Sequence, residues 1–248
     1  MDTSAYRSTQ REQDRITDLA RLIPKGMATL LDAGALDGYL SVEMTKYFDT
    51  VTALDLTRPE IDHERVETVQ GDITCLDIPD DAFDGVLCSE VLEHIPPEKL
   101  AAACKELVRV ARNFVLVGVP YRQDIRYGRI TCAACGTKNP PWGHVNVLDK
   151  KKLRKLFADV RCEEISYVGK GIGRTNFIAA YLMDLAGNPY GARSDGQTCI
   201  KCKAALSDPV RPTLLQLIFS KIACTIMSIQ AMFSPTRPGW MHVLFMKH

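Results

Sequence analysis

The chain has 248 residues, 46% of them apolar, and its 31 Lys and Arg against 30 Asp and Glu leave a net charge of +1. That length fits one domain with elaborations or one domain plus a small insert, with enough apolar residues for a full core. Near neutrality excludes polyanion binding by bulk charge; nine cysteines behind a polar first stretch, Met1 to Asp14, argue against a secreted disulfide framework and for a reducing, cytoplasmic location.

Asp2 to Ile23 reads as a helix with Ile16, Leu19, Leu22 and Ile23 inward, ended by Pro24-Lys25-Gly26. A short apolar run, Met27 to Leu31, predicts a buried strand that closes on Asp32 and a glycine turn. Tyr39 to Phe48 then has a helical pattern, with Leu40, Met44 and Phe48 on one face. Strand, glycine turn and helix together present backbone N–H groups to a ligand. A second strand, Val51 to Leu54, ends at Asp55, where a carboxylate can accept hydrogen bonds from a ribose diol. The dinucleotide signature G-x-G-x-x-G does not fit Gly34-x-x-x-Gly38, which counts against an NAD-dependent or nucleotide-sugar enzyme. Val66 to Gln70 is a third strand, followed by Gly71-Asp72-Ile73, and Gly85 to Ser89 is a fourth, followed by Glu90-Val91-Leu92-Glu93-His94-Ile95-Pro96-Pro97. Glu98 to Ala111 is helical with Leu100, Cys104, Leu107, Val108 and Ala111 inward, and Asn113 to Pro120 is a Val-rich fifth strand. Five strands joined in this order imply an α/β fold with a mostly parallel sheet and ligands at its C-terminal edge.

The stretch Asp32-x-Gly34-x-Leu36-x-Gly38 resembles the first motif of class I S-adenosylmethionine methyltransferases, usually acid-x-Gly-x-Gly-x-Gly. The Leu92-Glu93-His94 run resembles the segment after strand four of the same family, and the likeness extends roughly over Thr29 to Tyr121. It implies a Rossmann-like methyltransferase sheet with the last strand antiparallel. It also implies S-adenosylmethionine as cofactor, held by Asp32, Gly34, Gly38, Asp55, Asp72, Ile73 and Ser89. In the family the turn lies against the methionine part, the strand-two acid holds the ribose, and an acid placed like Asp72 accepts from the adenine amino group. Leu36 departs from the motif: its side chain either crowds the cofactor or points away. His94 reads as a capping or packing residue, and the first helix either covers the cofactor or simply packs.

Beyond Tyr121 the pattern is less regular. Arg122, Arg126 and Arg129 precede Cys132-Ala133-Ala134-Cys135-Gly136, and Gly143-His144-Val145-Asn146-Val147 leads into a helix capped by Asp149 with Leu153, Leu156 and Phe157 inward. Val160 to Val168 is a sixth strand, Arg174 to Leu185 a helix, Pro212 to Phe233 a long apolar helix, and Trp240 to Met246 the last strand. Cys132, Cys135, Cys199 and Cys202 form two C-x-x-C knuckles; if they meet in space, four thiolates close a tetrahedral shell around a structural Zn²⁺. Free thiols, a redox pair or disulfides are the alternatives. The remaining cysteines, Cys75, Cys88, Cys104, Cys162 and Cys224, read as core. Lys150, Lys151, Lys152, Arg154 and Lys155 either join the three arginines around a phosphate or, the favoured reading, form a solvated helix face. There is no strong nucleic-acid signal. Polar residues at Gln216, Lys221, Thr225, Ser228 and Gln230 interrupt the long helix, so a buried helix or lid is expected, and membrane contact through 214–233 is not favoured.

The expected organisation is a cofactor-binding core with its N-terminal helix over 1–121. The rest of the core, with zinc-knuckle and helical lid insertions, is expected over 122–248. The expected activity moves a methyl group to an oxygen or nitrogen of a small polar acceptor, a sugar or glycan among the candidates. A non-catalytic binding or scaffold protein of the same fold is the alternative. His144 is the candidate base for the acceptor, with a helix-entry cap or a metal ligand as its other readings.

Overall fold

A computed structural model describes residues 7–193, 196–207 and 211–247. The chain divides into two units. A core unit takes in the chain through Tyr121, then Leu148–Lys170 and everything from Pro238; an insert unit comprises Arg122–Val147 and Gly171–Arg237.

The core is built on seven strands: β1 Thr29–Ala33, β2 Thr50–Asp55, β3 Val66–Gln70, β4 Phe83–Ser89, β5 Ala111–Pro120, β8 Arg161–Lys170 and β9 Pro238–Met246, with β6 and β7 belonging to the insert. Their order is β3-β2-β1-β4-β5-β9-β8, and β9 runs antiparallel to both neighbours while the β3-to-β5 pairs are parallel. This is the expected doubly wound sheet with its last strand reversed. Its parallel strands are apolar on both faces because helices cover both. On one face α1 (Gln10–Leu22) and α2 (Tyr39–Met44) contribute Ile16, Leu19, Leu22, Leu40 and Met44 to a buried cluster with Phe48 and Phe114. On the other, α3 (Leu100–Val110) and α4 (Lys150–Leu156) bury Leu100, Leu107 and Leu153 with Phe157, whose ring stacks on Phe245 at 4.5 Å.

Several boundaries move. The first helix begins at Gln10, capped by the Thr9 hydroxyl, and residues 2–6 of the expected helix lie outside the described residues. The second helix stops at Met44, and Phe48 reaches the core from the turns that follow. Chain passes from α3 into β5 at Ala111 with no loop between. Cys75, expected in the core, is exposed. The basic start of α4 is solvated, in line with the plainer reading: Lys150, Lys151, Arg154 and Lys155 are exposed.

The insert carries a two-stranded ribbon, β6 Ile130–Thr131 with β7 Lys138–Asn139, then a short 3₁₀ turn at Pro141–Gly143, and two helices, α5 Phe177–Leu185 and α6 Leu214–Phe233, that pack on each other. Asn176 and Thr213 cap these helices, Thr213 in a reciprocal box with Gln216. Of the expected buried helix or lid, the buried reading of α6 is overturned. Its buried positions are Ser220 and Ala223, while Leu214, Leu215, Ile218, Ile222, Ile229, Met232 and Phe233 are exposed.

Candidate functional site

The turn between β1 and α2 is built on left-handed backbone. Gly34 and Gly38 have φ of 91° and 72°. A Cβ on Gly34 would lie 2.3 Å from Val91 Cγ2, and one on Gly38 2.1 Å from Ile61 Cδ1, so conformation and space both require glycine. Leu36 also adopts positive φ, 51°, and its side chain is 63% exposed. The Leu36 side chain therefore stands in solvent while its backbone keeps the turn.

Backbone hydrogen bonds fix that turn against β2. The N–H groups of Gly34 and Ala35 both donate to the Leu54 carbonyl, at 2.7 and 3.0 Å. Asp55 receives the Leu36 N–H on one carboxylate oxygen at 2.8 Å and the Leu56 N–H on the other at 2.7 Å. Each oxygen retains capacity for a further donor, so a diol can be accepted by the carboxylate that holds the turn. Asp32 lies beneath, nearly fully buried, and accepts the Ser41 hydroxyl at 2.6 Å. Burial pushes its carboxyl up to about 6, against the pull of the Ser41 hydrogen bond. Asp72 caps its own loop through the Thr74 N–H at 2.9 Å, which holds its carboxyl below the usual range. Ile73 next to it is buried in the core.

Ser89 ends β4 and accepts from the Arg15 guanidinium at 2.5 Å. Arg15 is buried on α1 and makes a two-point pair with Glu12, at 2.9 and 2.7 Å. Arg7 joins Glu12 at 2.7 Å and reaches Asp37 in the glycine turn at 2.9 Å. The start of α1 is thus tied to the turn and to the end of β4, which sequence reasoning did not assign. Just past β4, both carboxylate oxygens of Glu93 are buried without a hydrogen-bond partner among other described residues, and burial raises its carboxyl well above the usual range. A Glu at either end of a Val-Leu pair was visible in the sequence, but nothing there signalled its burial.

In the insert, the four cysteines converge: all four Sγ atoms lie within 4.8 Å of one another, with Cys132–Cys202 at 3.7 Å and Cys135–Cys199 at 3.6 Å. Disulfide sulfurs would be about 2 Å apart. Four sulfurs at about 2.3 Å from a central zinc would stand about 3.8 Å apart, which these separations match. The knuckles repeat one backbone design. Gly136 N–H donates to Cys132 O and Lys203 N–H to Cys199 O, both donors at positive φ; Cys132 N–H donates to Thr137 O and Cys199 N–H to Ala204 O. Backbone N–H groups of Cys202 and Lys201 hold the Cys199 thiol down to about 6. Asn139, fully buried, joins the knuckles: its amide donates to Thr137 O at 3.1 Å and accepts the Ile200 N–H at 2.8 Å. Asn139 was not singled out from sequence, because a lone Asn in a loop reads as a turn residue.

His144 is buried in the insert, with Nδ1 2.5 Å from Gln123 Oε1 and its ring 5.8 Å from that of Trp142. It is not one of the clustered thiolates' companions; that cluster contains the four cysteines alone. Arg126 and Arg129, candidates for a phosphate, are each in an ion pair, with Asp124 at 2.9 Å and Asp184 at 3.0 Å. They stand in the wall of a cavity of about 240 Å³ whose other sides include Tyr127, Ala180, Met183, Tyr190 and Met227.

Residues 31–114 match the family described as Methyltransferase domain. A ubiquinone biosynthesis O-methyltransferase of Xanthomonas axonopodis pv. citri (strain 306) is 38% identical over 102 residues, which are 36% of this chain and 42% of that protein. The match therefore spans well under half of the relative's length. Among solved structures, a SAM dependent methyltransferase from Archaeoglobus fulgidus superposes with a TM-score of 0.53 at 16% identity, covering 99% of this chain and 97% of that one. N-methyltransferase NodS from Bradyrhizobium japonicum WM9, in complex with S-adenosyl-L-homocysteine, gives 0.50 at 16% identity, over 68% and 85% of the two chains. The structural likenesses show the fold, and the match to the methyltransferase family is confined to residues 31–114.

Proposed function

We propose that the protein is an S-adenosylmethionine-dependent methyltransferase that delivers a methyl group to an oxygen or nitrogen of a small acceptor. The observation that carries this reading is the Asp55 carboxylate, which both fixes the glycine turn through the Leu36 N–H and stands where a ribose diol can be accepted. S-adenosylmethionine, when bound, supplies a methyl group activated on a sulfonium sulfur. The chain's own work is positional. Asp55 would hold the ribose hydroxyls, Asp72 the adenine amino group, and the backbone at Gly34 to Gly38, with Asp32 and Ser89 behind it, the methionine part. Positioning the acceptor in line is the main contribution, because the activated methyl needs little further help. A base matters when the acceptor is a hydroxyl. Gln123 Oε1 only accepts, so a proton on His144 Nδ1 would satisfy this contact and leave the lone pair on Nε2, the form a base requires.

The insert supports a reading of the acceptor. With Arg126 and Arg129 neutralised by Asp124 and Asp184, their cavity favours a ligand with an apolar portion over a phosphorylated sugar. The Xanthomonas relative's name, an O-methyltransferase, favours oxygen as the atom methylated. The four cysteines would hold one structural Zn²⁺, since four thiolates leave no open position for substrate.

Titration calorimetry with S-adenosylhomocysteine tests the cofactor assignment. Native protein should bind, and Asp55→Ala should lose about 1–3 kcal/mol, the worth of charge-assisted hydrogen bonds. No binding by the native chain would leave the non-catalytic scaffold reading standing; equal binding by the variant would remove Asp55 from the site.

A further inference from the structure

The insert unit combines two features that ordinary solvated surfaces keep apart. Along α6 the positions Leu214, Ile218, Ile222, Thr225, Ile229 and Met232 fall on one stripe, all exposed, about 27 Å long at about 1.5 Å per residue. The Thr225 hydroxyl is satisfied within the helix by the Lys221 carbonyl at 3.0 Å. On α5, Phe177, Ile178 and Tyr181 are exposed as well. Exposed apolar patches of such extent mark a contact surface. The second feature is charge. By sequence the insert unit holds eleven Lys and Arg against four Asp and no Glu, a net +7, while the core unit carries −6. Helix α6 itself has no acid and a single cation, Lys221, and Arg211 stands exposed just before its cap.

An aliphatic stripe on a strongly positive unit fits an anionic lipid surface, where apolar side chains enter the acyl boundary and cations meet headgroups. A single-stranded nucleic acid would call for aromatic faces and a row of cations on the contact itself, and the stripe is aliphatic with one lysine beside it. A second copy would bring two +7 units together, at an electrostatic cost. We propose that the insert unit docks on anionic membrane, with α6 lying in the interface plane, its Leu214-to-Met232 stripe in the lipid and Arg211 and Lys221 at the headgroups.

Co-sedimentation of the full chain with vesicles tests this. The protein should partition onto phosphatidylcholine vesicles containing about one-third phosphatidylglycerol, and about tenfold less onto phosphatidylcholine alone. The triple variant Ile218→Gln, Ile222→Gln, Ile229→Gln changes only exposed positions and should lose about tenfold or more in partitioning. Its melting temperature and S-adenosylhomocysteine affinity should stay those of the native chain, so failure here is separable from failure of the methyltransferase reading. Lys221→Glu should weaken binding to the anionic vesicles alone. Four outcomes overturn the proposal: no partitioning onto anionic vesicles; partitioning unchanged in the triple variant; displacement by RNA at concentrations that compete with lipid; or a dimer, seen by light scattering, that the triple variant dissolves.

Discussion

Leucine at position 36 shows how little of a motif's physics lies in its letters. The resembled motif has glycine there, and the backbone needs positive φ; leucine accepts that conformation at a cost of roughly 1–2 kcal/mol and turns its side chain to solvent. Gly34 and Gly38 lack that escape, because their Cβ positions are occupied by Val91 and Ile61. Asp32 makes the same point through charge. Its carboxyl is raised to about 6, so the folded state holds a proton at pH values where the unfolded chain, ionising near 4, has lost it. Stability from that proton is present at low pH and lost as pH rises from about 4 through about 6. Asp32→Asn cannot ionise, so its melting temperature relative to the native chain should climb between pH 4 and pH 7 and then level off. A difference flat across that range would mean that Asp32 is not held protonated. His144→Gln keeps a polar side chain but has no basic nitrogen. With a hydroxyl acceptor it should cut turnover by about 100-fold while S-adenosylhomocysteine affinity stays the same. Unchanged turnover would return His144 to a purely structural place beside Gln123.

At the scale of elements, the strands were legible because their signal is local: apolar runs bounded by turn residues, with β2 ending at Asp55 and β4 at Ser89. The role of α1 was only half legible. Ile16, Leu19 and Leu22 marked its inner face, but Glu12 and Arg15, one turn earlier, look like solvent-facing charges in any periodicity. Their burial depends on each other and on Ser89, a residue 74 positions away from Arg15. Partners so far apart leave no mark in a local pattern. The arrangement predicts strong coupling. Arg15→Met removes a two-point partner of buried Glu12 and should destabilise by about 3–5 kcal/mol, whereas adding Glu12→Gln should recover part of that loss. Urea unfolding of the two single variants and the double variant measures the coupling; additive losses would show that the pair is not buried as a unit. Helix α6 failed in the opposite sense. An apolar run of 20 residues suggests burial by composition, and here packing on α5 covers only a narrow strip around Ser220 and Ala223.

For the whole molecule, a net charge of +1 concealed a division into +7 and −6, because both units are assembled from separated stretches of chain. The same discontinuity hid the metal-type site's completeness: the C-x-x-C pairs were plain, but 63 residues lie between Cys135 and Cys199, and the fold returns all four sulfurs to within 4.8 Å of one another. Around the sulfurs the insert has a small apolar cluster of Ile130, Cys132, Cys199 and Leu206, too few side chains to order a two-strand ribbon and two knuckle turns by burial alone. The binding free energy of a structural zinc, about 10–16 kcal/mol in small zinc modules, is of the size required. Metal analysis of protein purified without chelator should therefore find one zinc per chain. Stripping it at neutral pH should lower the melting temperature and expose the four thiols to alkylation, and re-addition of zinc should reverse both. Because Asp55 and the glycine turn belong to the core unit and the thiolates to the insert, S-adenosylhomocysteine should still raise the melting temperature of the stripped protein by mass action. Full thermal stability after stripping, or purified protein with no zinc and protected thiols, would show that the four sulfurs meet without a metal to hold them.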